Sequence, residues 1–107
     1  MKLGIILQSN KPEHAWNALR LGISALKAGH AAEIFLMSEG AELDVISDSK
    51  DFDISAKVAE FKELKGALYA CGSCLKLRGK VESSVCPVST MSDLLTLVER
   101  SDKLVTF

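Results

Sequence analysis

Apolar residues in this chain fall into two kinds of run. Some are short and continuous, and others recur every three or four positions across a longer span. The first kind reads as buried strand, the second as a helix lying against a sheet. Leu3 to Leu7 makes a first strand. Asn10, Pro12 in the first turn and Glu13 mark a helix start, and Ala15, Leu19, Gly22, Ile23 and Leu26 recur at helical spacing until Gly29 ends it. Ala32 to Met37 makes a second strand. Ile54, Val58, Phe61 and Leu64 form an apolar stripe ending at Gly66, and Gly66 to Ala70 is a third strand. A short fourth strand is expected over Ser83 to Cys86. Thr90 and Asp93 form a capping-box pair that opens a last helix, with Met91, Leu94, Leu95 and Val98 inward, and Lys103 to Phe107 closes the pattern as a strand.

Strand and helix thus alternate from end to end, which predicts a parallel sheet with helices on its faces. One segment stands apart. Ser38 to Asp53 carries six acidic residues among small and polar ones, and it reads as an exposed, solvated excursion with a short helix around Ala41 to Val45. No linker, repeat or low-complexity tract divides the 107 residues, so a single domain over 1–107 is expected.

The chemistry concentrates after the third strand, in Tyr69-Ala70-Cys71-Gly72-Ser73-Cys74-Leu75-Lys76-Leu77-Arg78-Gly79. Gly72 permits a sharp turn there, and Ser73 is placed to cap a following short helix. Cys71 then sits on a strand-to-helix corner. Unpaired amides at a helix start, with Lys76 and Arg78 close in sequence, favour the thiolate, which is the nucleophilic form. Loops at the carboxyl ends of parallel strands share one edge, where ligands collect. Asn10, Glu39, Cys71, Cys74 and Cys86 all fall on that edge in this reading. Cys71 and Cys74 are the candidate reacting groups, and Asn10, Lys76, Arg78 and Cys86 the candidate substrate contacts.

Composition narrows the partners. Thirteen Lys and Arg against fourteen Asp and Glu leave a net charge of −1, so no basic face is expected for nucleic acid. Leu3 to Leu7 is too short for a signal-peptide core or a membrane span, and the expected compartment is the cytoplasm. Three cysteines, an odd number, do not make a secreted disulfide framework.

A strand ending in Cys71 followed by a short helix that closes on Arg78-Gly79 resembles the DsrE/DsrF family of sulfur-handling proteins, to which the carrier subunits of the Tus complex belong. Trp16-Asn17-Ala18-Leu19-Arg20, Ala25-Leu26-Lys27-Ala28-Gly29-His30 and Ile34-Phe35-Leu36-Met37 are similar to the first βαβ unit of such proteins. The resemblance implies a three-layer α/β/α sandwich, flavodoxin-like in outline, around a mostly parallel five-stranded sheet. It implies trimeric or hexameric assembly, and a cysteine, at the position of Cys71, that accepts sulfane sulfur as a persulfide. Cys74 departs from the relay pattern.

Thiol chemistry gives the expected mechanism. The Cys71 thiolate attacks the outer sulfur of a donor persulfide or polysulfide. The sulfur then passes to a partner's thiolate, or Cys74 attacks the inner sulfur and expels hydrosulfide. Whether the protein is a carrier or a catalyst stays open at this point, and no cofactor or metal is expected. A thioredoxin-like dithiol oxidoreductase would place the motif after an early strand and a Trp before it, where this chain has Ala70. A zinc site would need His14 or His30 to complete three thiols. A flavin phosphate would need Ser, Thr or Gly in place of much of Gln8-Ser9-Asn10-Lys11-Pro12. Trp16 reads as a packing or subunit-contact residue. The rival of a different class is a non-catalytic oligomeric subunit or a thiol redox sensor of the same fold.

Overall fold

The computed structural model describes residues 1–80 and 87–107. Its elements run β1 (Lys2–Leu7), α1 (Pro12–Lys27), β2 (Ala31–Leu36), a 3₁₀ helix (Ser38–Val45), α2 (Ile54–Glu63), β3 (Ala67–Cys71), α3 (Gly72–Leu77), β4 (Val88–Ser89), α4 (Met91–Arg100) and β5 (Lys103–Thr106). The five strands form one sheet in the order β4-β3-β2-β1-β5, and every pairing is parallel.

This order explains where the helices lie. The chain steps across the sheet in one direction from β1 to β4, then returns past all of them to reach β5. Right-handed crossovers place helices for the two directions of travel on opposite faces. The core confirms the division. Leu3, Ile5 and Leu7 of β1, Ala32, Ile34 and Leu36 of β2, and Leu68 and Ala70 of β3 pack with Ala15, Leu19 and Ile23 of α1 and Val58 and Phe61 of α2. The intervening residues face the other way, where Phe35 and Cys71 pack with Leu94 and Leu97 of α4. Side chains on a strand alternate between faces, so Cys71 shares the α4 face with Tyr69. Among the described residues the first cluster holds nineteen buried side chains and the second four, so the core is lopsided.

Local signals account for the ends of the elements. Pro12 occupies the first helical position of α1, where its missing N–H costs nothing. The preceding cap is Lys11, without a side-chain hydrogen bond, in place of the expected Asn10. In α4 the Thr90 hydroxyl accepts from the Asp93 amide at 3.2 Å, and the Asp93 carboxylate accepts from the Thr90 amide at 2.8 Å, completing the capping box. The inward face of that helix differs from expectation. Leu94 and Leu97 are buried, while Met91 and Leu95 are each 59% exposed and Val98 38%. The helix is apolar over more of its circumference than the sheet can cover. Trp16 packs edge-to-face on Phe52, with the Arg20 guanidinium 4.3 Å above its ring, so it ties α1 to the segment before α2. The expected strand over Ser83 to Cys86 lies outside the described residues, and β4 is Val88–Ser89.

The acidic stretch after β2 is not a solvated excursion over its first half. Gly40, Ala41 and Leu43 of the 3₁₀ helix are buried. Gly40 is pressed against the end of β1 so closely that an added Cβ would overlap the Leu7 carbonyl. The Leu7 carbonyl already accepts the Met37 amide at 3.0 Å, so neither backbone has room to yield. Gly40→Ala is therefore expected to lower stability by about 1–3 kcal/mol, the usual cost of overpacking. Urea denaturation checks this, with an unchanged midpoint as the contrary result.

Candidate functional site

The site begins with a residue that belongs to two elements. Cys71 is the last residue of β3 and the N-cap of α3, with φ −65° and ψ 119°, a conformation that fits both a strand end and a cap. The helix therefore starts at Gly72, and Ser73 lies inside it instead of capping it. A Cβ at 72 would fit only tightly, 3.1 Å from the Val88 side chain and 3.3 Å from the Ser89 carbonyl, on the strand that pairs with β3. The helix stops at Arg78, and Gly79 turns the chain with φ +70°.

Cap and third helical residue face each other across the first turn, the same relation that lets Thr90 and Asp93 exchange hydrogen bonds in α4. In α3 those two positions carry sulfur, as Cys71 and Cys74. Cys71 is buried at 3% exposure between Phe35 and α4, whereas Cys74 is half-buried and touches both core clusters. A reagent approaching from solvent meets Cys74 first.

The 3₁₀ helix supplies the other wall. Ser38 has φ +52°, in the left-handed region, and its amide donates to Cys74 Sγ at 3.1 Å. Arg78 donates through Nε to Glu42 at 2.6 Å and through Nη1 to the Cys74 carbonyl at 3.0 Å. Asn10, from the loop after β1, donates to the same Glu42 carboxylate at 3.4 Å. Two residues further along both segments, Lys80 and Asp44 pair at 2.9 Å. The acidic segment thus clamps α3 in register, 42 to 78 and 44 to 80.

These contacts set the electrostatics. Burial pushes the Cys74 thiol above its ordinary value, and the hydrogen bond with Cys71 pushes the same way, while the Ser38 amide and the Arg78 charge oppose them. Hydrogen bonds from Arg78 and then Asn10 hold the Glu42 carboxyl below the usual glutamate value, against burial.

Of the expected contact residues, Asn10 and Arg78 reach the site, and both hydrogen-bond to Glu42. Lys76 is exposed, and Glu39 is exposed as well. Cys86 lies outside the described residues, and the strand-end position expected for it is taken by Ser89, the register partner of Cys71, with Thr90 following as the cap of α4. His30 pairs through Nδ1 with the amino terminus at 2.9 Å, at the opposite edge of the sheet from the thiols. The thiols occupy the carboxyl edge at β3, two strands from β1 and three from β5, the neighbouring pair between which the direction of winding reverses. Ser38, Glu42, Asp44 and Lys80 escaped the sequence reading. Their one signal was the matched spacing of two acids and two bases, 36 residues apart.

An all-parallel sheet with a buried and a half-buried thiol at one strand end defines an α/β protein of the thiol-bearing kind, and sequence comparison agrees. The chain belongs to the DsrE/DsrF-like family, whose sequence model matches residues 1–107. It is 32% identical over 101 residues to the uncharacterized protein MJ0989 of Methanocaldococcus jannaschii, covering 89% of this chain and 88% of that one. It is 33% identical over 105 residues to the uncharacterized protein MK0008 of Methanopyrus kandleri, covering 89% and 83%. The fold is shared with the ychN protein of E. coli at a TM-score of 0.83 and 20% identity over 100% of both chains. It is also shared with the conserved protein of unknown function BT1422 of Bacteroides thetaiotaomicron, at 0.76 and 18%, covering 99% of this chain and 94% of that one.

The lowered Glu42 value carries a testable sign. A carboxyl held low in the folded state contributes stability that is present above its unfolded value and lost as pH falls through the folded one. Glu42→Gln should therefore lower the urea midpoint at neutral pH, and the gap to the parent protein should close as the pH falls through the lowered Glu42 value. A gap of constant size at every pH would contradict the assignment.

Proposed function

We propose that this protein takes part in intracellular sulfur transfer, with Cys71 accepting sulfane sulfur as a persulfide. The observation that carries the reading is the Cys71–Cys74 pair at the strand-to-helix corner of a DsrE/DsrF-like chain. Burial and the hydrogen bond with Cys71 hold the proton on Cys74, which supports Cys71 as the thiol that takes up the sulfur. Cys71 attacks the outer sulfur of the donor, the donor thiolate leaves, and the new sulfur stays on Cys71. It then leaves either to an acceptor thiol or, through Cys74, as hydrosulfide. Burial of Cys71 favours slim donors, such as inorganic polysulfide or a persulfide carried on a narrow extended segment.

The setting we propose is the cytoplasm, with 1–107 as one domain and no cofactor, metal or nucleic acid involved. No helix among the described residues is long and apolar enough to cross a membrane. We further propose a trimer or hexamer of this chain. The outer face of α4 supports it, because Met91, Leu95 and Val98 line a shallow apolar depression of about 420 Å³ there. The reading as a non-catalytic subunit or thiol sensor has no specific observation in its favour.

Brief exposure to polysulfide should add about 32 mass units, one sulfur atom, to the intact protein and none to a Cys71→Ser variant. Uptake by Cys71→Ser at the parent rate would contradict the assignment. Sedimentation should show a particle several times the 11.6 kDa chain mass at micromolar concentration, and a monomer alone would refute the assembly.

A further inference from the structure

The two sulfurs are held by different partners. Cys71 is enclosed by the sheet and α4, while Cys74 Sγ accepts a main-chain N–H from Ser38 at 3.1 Å. A single amide aimed at a sulfur is a place for negative charge, because hydrogen bonds to an ionised acceptor are the stronger ones. Arg78 adds a cation to the same surroundings, fixed by Glu42 on one side and by the Cys74 carbonyl on the other.

Resting on the reading of Cys71 as sulfur acceptor, we propose that Cys74 is its resolving thiol, held for attack by the Ser38 amide and Arg78, and that the protein releases sulfane sulfur as hydrosulfide in preference to handing it on intact. The step balances without an added oxidant. The Cys71 persulfide carries its charge on the outer sulfur, and Cys74 begins as a thiol. The Cys74 proton passes to that outer sulfur, and the anionic Cys74 sulfur attacks Cys71 Sγ. A Cys71–Cys74 bond forms, the bond from Cys71 to the outer sulfur breaks, and its electron pair departs with the proton as HS⁻. The sulfane sulfur is reduced and the two cysteines are oxidised. An external dithiol then reduces the disulfide and is itself oxidised.

The raised Cys74 value fits this order of events. Burial and the neighbouring Cys71 keep the Cys74 proton in place before loading. Once Cys71 Sγ is a neutral bridging sulfur, it no longer accepts that proton strongly, and the Ser38 amide and Arg78 remain to favour the anion. The resolving thiol is thereby held back until the first thiol is loaded. Arg78 acts in this scheme as a positioning and charge-setting residue, not as a substrate ligand.

The test loads parent protein, Cys74→Ser, Arg78→Met and Arg78→Lys with equimolar inorganic polysulfide, removes excess reagent without reductant, and follows intact mass and released hydrosulfide. The parent should pass from about +32 to about −2 mass units, with one hydrosulfide per disulfide formed. Cys74→Ser should hold the persulfide at least roughly tenfold longer and release none. Arg78→Met should slow closure severalfold and move its pH profile to the alkaline side, because a cation that favours the Cys74 thiolate is lost, and Arg78→Lys should restore most of the rate. Equal persulfide lifetimes in the parent and Cys74→Ser overturn the resolving role and leave Cys71 as acceptor. Absence of the 32-unit gain in both proteins overturns the acceptor reading and this proposal together.

Discussion

One residue serving two elements at once constrains this site. Cys71 ends a buried parallel strand and caps the helix that follows, so its backbone must satisfy both, and its side chain must follow the alternation of β3 onto the α4 face. From that follow the glycine at 72, which lets the helix start against β4, and the placing of a second sulfur at 74, facing the first across one helical turn. It also follows that the cap sulfur is buried and the helical one is not. Solvent therefore reaches the two thiols unequally.

The 3₁₀ helix makes this arrangement rigid. Its ion pairs with Arg78 and Lys80 lie near the surface, where solvent screens them, so their value is in geometry more than in stability. They fix α3 against the segment that presents the Ser38 amide. Gly40, packed on the Leu7 carbonyl, anchors that segment to the central part of the sheet. The chain from the end of β1 through the 3₁₀ helix to α3 is therefore a continuous support for Cys74, built from a stretch whose composition alone reads as solvent-facing.

Regular elements were legible because their periodicities differ. β1, β2 and α1 were expected within a residue or two of their ends, and the capping box at Thr90 and Asp93 located α4. The phase of α4 was not legible. Met91, Leu94, Leu95, Leu97 and Val98 are all apolar, and only the position of the sheet selects Leu94 and Leu97. The pairing of Cys71 with Cys74 was visible from spacing, but their unequal burial was not. The role of the acidic segment was hidden for a similar reason: Glu42 and Asp44 meet Arg78 and Lys80 only after the chain has crossed from β2 to β3. Asn10 was read as the cap of α1, a place that Lys11 takes, and the hydrogen bond of its amide to Glu42 had no sign in the sequence.

The central claim, that sulfur is received at Cys71, is tested most directly by locating it. Trypsin leaves Cys71 and Cys74 together on the peptide from Gly66 to Lys76, apart from Cys86. Parent protein and Cys74→Ser would each be loaded briefly with isotopically labelled polysulfide and trapped by alkylation, and that peptide would then be fragmented between positions 71 and 74. The account predicts labelled sulfur on the fragment that contains Cys71. In the parent protein, label on the fragment containing Cys74 at the earliest times, with Cys71 unmodified, would contradict it.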